Sequence, residues 1–346
     1  MSVPTMGNID CARLLNVKEK IVEIWNDTGA REAEYVADVE PAMAILDNQT
    51  ADFKVLTQPD KDREVDIWWV EDCDDEDPSE EDDDQCEIDG EEAGTLCAHY
   101  ALTEKFHKSF VVTEEKFRTS NLTYEEYVAK IMMKKMKLMD EFWAKKALAA
   151  MALAAGVNKY AGQYTVGNKT YIPPVAWNSD VFGYLDTALW MNKLGMSKML
   201  TGTLLKQHYW KTGMESTNPN GAAEVAKMTA FGVPYFGRKV DALLGYKAAF
   251  LFNPNALALV TKARHSIYGA EGRKVPQNGG GEIILSTIQS RNLPQLTYDL
   301  YVDEKCANDD IRHGYKIKTR GDIFQNPSGC DNDLTGVLQM VCGFAP

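Results

Sequence analysis

Between Tyr124 and Ala155 apolar residues recur at helical spacing, with no Gly or Pro in the stretch. Tyr124, Val128, Ile131, Leu138 and Phe142 form one stripe, and Met132, Met136, Met139 and Trp143 form an adjacent one. Thr123 followed by Glu126 is a capping box, Leu122 and Tyr127 can staple the first turn, and Gly156 is a stop signal. The pattern predicts one helix over about 123–156 with its caps, the 32 residues Tyr124–Ala155 being roughly 48 Å long at 1.5 Å per residue. Its last third, AKKALAAMALAA, is small and apolar nearly all round, which predicts deeper burial there. The stripe is too broad, and lacks the sustained seven-residue repeat, for a coiled coil.

The rest of the chain alternates between the two periods. Residues 1–35 are a polar leader with one amphipathic segment, in which Ile9, Leu14, Leu15, Ile21, Val22 and Trp25 follow helical spacing; an arm lying on another surface is expected. Residues 36–62 are short mixed elements punctuated by Pro41 and Pro59. VDIWWV (Val65–Val70) and KSFVV (Lys108–Val112) read as the two strands of a long hairpin-like arm. GQYTVGNKTYIP reads as a short hairpin turning at Gly167-Asn168. Helices are expected at Asp180–Leu194, capped by Ser179, and at Ser197–Tyr209, with a turn at Asn218–Gly221. A helix or turn follows at Asp241–Gly245, then a buried strand at Lys247–Asn253. Pro254 opens a further expected helix running to about Tyr268. A glycine-rich loop, Gln277–Gly281, leads into EIILSTI, and QLTYDLYVDEK, GYKIKTRGDIFQ and GVLQMVCG read as closing strands. No internal repeat is evident. The fold class is α+β.

Charge changes this picture at one place. The chain has 346 residues and a formal charge of −14, but 15 of the 22 residues from Glu71 to Glu92 are acidic and none is basic. Without that run, 51 − 15 = 36 acids face 37 bases, a balance of +1. Such a block repels itself and cannot bury apolar area, so a solvated insertion between the two arm strands is expected. The bases fall in local groups: Lys134, Lys135 and Lys137; Lys145 and Lys146; Arg312, Lys316, Lys318 and Arg320. Acidic balance and the lack of a basic stripe argue against a grip on duplex DNA, whose affinity comes mainly from Lys and Arg on phosphates. No window of 18 apolar residues exists and the N-terminus has no signal-peptide pattern, so neither a membrane span nor secretion is expected. Asn-x-Thr at Asn48, Asn121 and Asn168 then reads as chance. Seven cysteines, an odd number with no CxxC, point to free thiols in a reducing compartment.

Candidate chemistry is sparse. Cys73, Cys86, Cys97 and His99 can be drawn as a zinc set, but their spacing is wide and irregular. His99, His107, His208, His265 and His313 stand in no HExxH or triad context, and a lone His such as His208 is most often a packed residue. Gly279–Gly281 precedes a strand, whereas dinucleotide binding needs glycines between strand and helix. The acidic run lacks the register of a calcium loop, with Gly90 far from the turn position, and a solvated block holds no carboxylate pair in fixed geometry. No catalytic, cofactor-binding or metal-binding residue is assigned, and no cofactor is expected.

From the long helix onward the chain resembles a tailed-bacteriophage major capsid protein, the Johnson fold shared with encapsulin shells. Three stretches carry the resemblance: VPYFGRKVDALLGYKAAFLFNPNALALVTKARH (Val233–His265), QLTYDLYVDEKCANDDIRHGYKIKTRGDIFQNP (Gln295–Pro327) and NPSGCDNDLTGVLQMVCG (Asn326–Gly343). The order of parts agrees along nearly the whole chain. The resemblance implies an N-terminal arm at 1–35, a P-domain from 36–62 and 119–175 with its spine helix, and an extended β-hairpin E-loop at 63–118 with the insertion at 71–92. It also implies an A-domain at 176–290 and return strands of the P-domain at 291–346. The acidic insertion is not a general family feature. With about 35 residues before the first core elements, a fused scaffolding domain is not expected, and a separate scaffold protein, or none, is implied.

What the resemblance implies is a major structural subunit, not an enzyme. It would self-assemble through hexameric and pentameric capsomers into an icosahedral shell around double-stranded DNA, located in the virion and assembled in the bacterial host cytoplasm. Scaffolding, portal and decoration proteins are the further partners it implies; no membrane is involved. An acidic subunit suits a container that encloses DNA without holding it. Two alternatives stand beside this: an encapsulin-type bacterial compartment shell, and a hydrolase or metalloenzyme with an acidic lid, which would need a solvent-excluded cluster of titratable residues.

Overall fold

The computed structural model describes residues 9–27, 34–49, 54–57, 64–70, 95–118, 120–158, 164–192, 194, 198–215, 234–254, 256–277, 281–307, 310–327 and 336–346. They form an α+β chain in two compact units. The first is Met1–Met43, Leu102–Lys146 and Leu259–Asp322; the second is Ala44–Ala101, Ala147–Ala258 and Ile323–Pro346. The acidic run from Glu71 and the turn expected at Asn218–Gly221 lie outside the described residues, as does most of 326–333.

Helix α1 (Cys11–Asn26) opens the first unit, with Asp10 accepting from the Arg13 amide as its N-cap. The expected arm helix lies on the chain's own first unit. Leu14, Val17 and Ile21 are fully buried, Arg13 pairs with Glu125 at 3.0 Å, and Lys18 Nζ donates to Ser286 Oγ at 2.7 Å. Helix α2 (Glu40–Leu46) follows. Strands β1 (Lys54–Thr57), β2 (Glu64–Val70) and β3 (Thr95–Ala101) make an antiparallel three-stranded sheet in the second unit. A hairpin therefore does flank the insertion, but its second strand is Thr95–Ala101, with Val70 across from Thr95. The stretch expected to close it, Lys108–Val112, belongs to β4 (Glu104–Thr113), which pairs along β14 (Asp310–Gln325) in the first unit. The sequence TLCAHYA does not announce this strand, because it places Leu, Cys and Ala in succession and lacks the polar–apolar alternation of a half-buried strand.

After α3 (Glu114–Arg118), helix α4 (Tyr124–Ala154) starts where the capping box places it. Thr123 N–H donates to Glu126 Oε2 at 3.2 Å and Glu126 N–H donates to Thr123 Oγ1 at 3.3 Å. Glu125 and Glu126 also face the positive end of the helix dipole. Thr123→Ala should cost about 1 kcal/mol, read as a lower urea midpoint at unchanged slope. The second stripe is the core stripe: Met132, Met136, Met139 and Trp143 are buried, while Leu138 is 41% exposed. The last third is one-sided, contrary to expectation, because Ala147, Leu148 and Met151 are buried but Leu153 is 86% exposed.

In the first unit α4 lies on a six-stranded sheet ordered β10 (Leu257–Thr261), β14, β13 (Thr297–Ala307), β12 (Glu282–Gln289) and β11 (Arg273–Pro276), with β4 also on β14. Alternate residues face the helix: Ile284, Ser286 and Ile288; Tyr298, Leu300 and Val302; His313, Tyr315, Ile317 and Thr319. Trp143 Nε1 donates to Thr319 Oγ1 at 3.3 Å, and the backbone comes so close beside it that a Cβ at Gly321 would meet Val260 O at 2.4 Å. The helix expected from Pro254 to Tyr268 is instead β10 followed by a 3-10 turn at Arg264–Tyr268. Leu257–Val260 are buried on consecutive positions, which suits a strand covered on both faces.

The second unit is built on a mixed six-stranded sheet. Its order is β5 (Thr165–Val166), β6 (Lys169–Ile172), β15 (Val337–Cys342), β9 (Ala248–Phe252), β7 (Lys198–Gly202) and β8 (Tyr235–Gly237). β5 and β6 form the expected hairpin, with Gly167 at φ +61°. β15, last in sequence, sits between β6 and β9. Helix α5 (Asp180–Met191) packs Val181, Leu185, Ala188 and Leu189 with Met199, Leu251 and Met340. Of the helix expected at Ser197–Tyr209, the first part is β7 and the rest belongs to α6 (Thr203–Glu215). Met199–Gly202 are buried between β9 and β8, so ladder bonds and tertiary burial override the helical pattern. The short helix α7 (Val240–Leu244) and the buried strand β9 are as expected. No helix among the described residues is long and apolar enough to cross a membrane.

Candidate functional site

Among the described residues, the first unit brings chemistry-bearing side chains together in three places. The first is Asp140, fully buried on the core side of α4. Its Oδ1 accepts from Tyr298 Oη at 2.6 Å and Ser290 Oγ at 2.7 Å, and its Oδ2 from Asn292 Nδ2 at 3.0 Å. Asn292 in turn accepts from Ala37 N–H at 2.9 Å and donates to Tyr35 O at 3.3 Å. One carboxylate thus ties helix, loop and leader together. Burial pushes the Asp140 carboxyl up to about 6, against the pull of its three donors. All its lone pairs in use point to protein donors, so it acts as an anchor.

The second is a chain of hydroxyls under α1. Tyr124 Oη lies 2.7 Å from Tyr315 Oη and 2.5 Å from His313 Nδ1, all buried. His313 Nε2 is 3.5 Å from Glu304 Oε2, and Glu304 Oε2 accepts from Ile9 N–H at 2.9 Å. Burial lowers the affinity of His313 for a proton, with the neighbouring Glu304 opposing, and it is Glu304 that holds the start of the arm, through the Ile9 amide. Arg13 sits 4.0 Å above the Tyr124 ring.

The third is the outer face of the six-stranded sheet, where Arg312, Lys316, Lys318 and Arg320 fall on alternate positions of β14. The register sets Lys318 across from His107, and Arg320 across from Lys105, on β4.

The remaining sequence landmarks do not converge. His99 Nδ1 is 2.5 Å from Asp66 Oδ1 on the arm sheet, beside an exposed Cys97, while Cys73 and Cys86 lie outside the described residues. His265 is buried between Tyr268 and Tyr301. His208 lies on α6, in the other unit from His313. Gly279 and Gly280 lie outside the described residues. An apolar cavity of about 190 Å³ in the second unit is lined by Tyr164, Tyr171, Ile172, Pro173, Tyr184 and Met340, with no carboxylate or histidine. Sequence reasoning passed over Asp140, although an acid within the apolar run MKLMDEFW is a usable signal.

No family model and no curated protein matches the chain. Among solved structures it is similar to one from Mycobacterium phage Adephagia, at 11% identity and a TM-score of 0.44 over 88% of this chain and 91% of that one. It is also similar to the asymmetric unit of the bacteriophage PhiM1 mature capsid, at 10% identity and a TM-score of 0.43 over 83% and 84% of the two chains. A chain from Mycobacterium phage Bobi is similar at 14% identity and a TM-score of 0.42, over 90% and 91% of the two chains.

Proposed function

We propose that this chain is the major structural subunit of a tailed-bacteriophage capsid, assembling with copies of itself into the icosahedral shell that encloses double-stranded DNA, with no catalytic step. The observation that carries this reading is the order of its elements. A hairpin flanks the acidic insertion, a strand of the other sheet follows, and a 31-residue capped helix comes next. The mixed α/β unit then leads to C-terminal strands that enter both six-stranded sheets. That is the order of E-loop, spine helix, A-domain and return strands that the sequence resemblance implies. In this reading β2 and β3 carry the E-loop over an adjacent subunit, α4 is the spine of the P-domain, and the hexameric and pentameric capsomers are virion components assembled in the host cytoplasm.

Exposed apolar side chains support association. Trp190 is 79% exposed, Val175 82% and Ile267 80% in the single chain, and a shell subunit must keep such surface for symmetric partners. Size-exclusion chromatography and electron microscopy of the purified chain should show megadalton particles or hexamer-sized capsomers. A chain that stays monomeric or dimeric across ionic conditions would overturn the reading.

A further inference from the structure

The outer face of the first unit's sheet holds an electrostatic conflict. Strand alternation turns His313, Tyr315, Ile317 and Thr319 inward, which sends Arg312, Lys316, Lys318 and Arg320 to the opposite face, where Lys316, Lys318 and Arg320 follow one another about 6–7 Å apart. β4 adds Lys105 directly across from Arg320 and His107 directly across from Lys318. Like charges placed opposite one another in an antiparallel pair are destabilising. The acids on this set of positions have partners: Asp299, across from Lys318, accepts from His265 N–H at 2.8 Å, Asp303 pairs with Lys305 at 3.2 Å, and Asp322, two positions beyond Arg320, accepts from Thr103 N–H at 3.2 Å. Lys105, Lys316 and Lys318 make no salt bridge with any other described residue. Lys318 is held below the usual lysine range, first by partial burial and then by Arg320, Lys316 and Arg264, with Asp299 opposing.

The same chain carries the complementary excess. Fifteen carboxylates lie in the 22 residues from Glu71 to Glu92, without one base among them. Each copy supplies one such segment and one such face, so a ring or shell of identical copies can match them one to one through a heterologous contact.

We propose that the sheet face formed by Lys105, Lys316, Lys318 and Arg320 is the docking surface for the acidic segment Glu71–Glu92 of a second copy of this chain. The proposal rests on the self-assembling reading above. It gives the insertion a task, that of supplying the counter-charge for a neighbour's sheet, and it makes assembly depend on ionic strength, because such pairs are screened over roughly 10 Å at 0.1 M salt.

Two experiments test it. In the first, subunits labelled with ¹⁴N and ¹⁵N are mixed before assembly, and the particles are treated with a carbodiimide that joins amines to carboxylates without a spacer. Mass spectrometry should find Lys105, Lys316 or Lys318 joined to residues 71–92, in mixed-isotope pairs as often as unmixed ones. Unmixed pairs alone would place the contact within one chain and overturn the proposal. Particles without these links would overturn it and leave the shell reading standing, whereas a chain that forms no particles removes the shell reading and this contact together. In the second, Lys316→Glu with Lys318→Glu should lower particle yield by about tenfold or more at low salt, since like charges brought together at a contact cost several kcal/mol. Adding Asp82→Lys, Asp83→Lys and Asp84→Lys should restore the yield. Lack of rescue in a double variant whose free subunit melts like the parent counts against the proposal; if the face variant does not fold, the isotope experiment decides. Duplex DNA that shields these lysines from acylation in particles, with the acidic segment unlinked, would assign the face to nucleic acid instead.

Discussion

Leu138→Pro should give a chain that forms no particles and loses much of its helical signal, while Leu138→Ala assembles normally. The contrast isolates the backbone. Leu138 is 41% exposed near the middle of α4, so trimming it to Ala removes little packing and improves helix propensity. Proline at the same position deletes an amide hydrogen bond and drives its ring against the carbonyl of Lys134, at a cost of about 3 kcal/mol or more. The damage spreads because the next residues are the ones that hold the helix to its sheet. Met139, Asp140 and Trp143 are buried on the core side, and Trp143 reaches Thr319 at 3.3 Å. A kink before them moves all three. Circular dichroism on the soluble fraction and electron microscopy of the product would read both effects. Normal particles from the proline variant would remove the structural importance assigned to α4.

What could be read from the sequence follows from how local each signal is. The start of α4 was legible because Thr123 and Glu126 satisfy each other's amides within one turn. β9 was legible because five consecutive apolar residues between Lys247 and Asn253 need only a sheet, not a particular neighbour. β10 was not: Pro254 is a good helix opener, and a short apolar run such as LALVT fits a buried strand or a helix equally. The fate of Lys108–Val112 was decided by Asp310–Gln325, about two hundred positions away, where registry with β14 wins over closure of the nearer hairpin. The period-two pattern of Lys316, Lys318 and Arg320 was visible in the sequence, but the like-charged partner Lys105 was not, since only the fold sets it across from Arg320. Asp140 shows the same limit. Its position in an apolar stripe marks it as unusual, yet Ser290, Asn292 and Tyr298 are supplied by a loop and strand that no local pattern connects to it.

Asp140 should also dominate the acid response of the subunit's stability. Its folded-state carboxyl titrates near 6 against 3.8 for the free side chain, because burial penalises the charge more than its three donors favour it. The folded state therefore holds this proton more tightly than the unfolded state does. The resulting stabilisation is complete below about 3.8 and is lost as pH rises through about 6. A shift of about two units corresponds to about 3 kcal/mol, most of it gained between pH 7 and pH 4. Asp140→Asn keeps the shape without a titrating group, so the difference in unfolding free energy between wild type and this variant should move toward wild type by about that amount over the interval. Urea unfolding of the free subunit at several pH values measures it, and parallel curves for the two proteins would refute the assignment. Asp140→Ala is the harsher change. It leaves the hydroxyls of Ser290 and Tyr298 with no acceptor in a buried site, each costing about 1–3 kcal/mol, removes one of the two acceptors of the Asn292 amide, and opens a small cavity besides. Because Asn292 also holds Tyr35 and Ala37, the loss should reach the leader, so that amide exchange quickens around residues 35–37 in the alanine variant before the subunit unfolds as a whole.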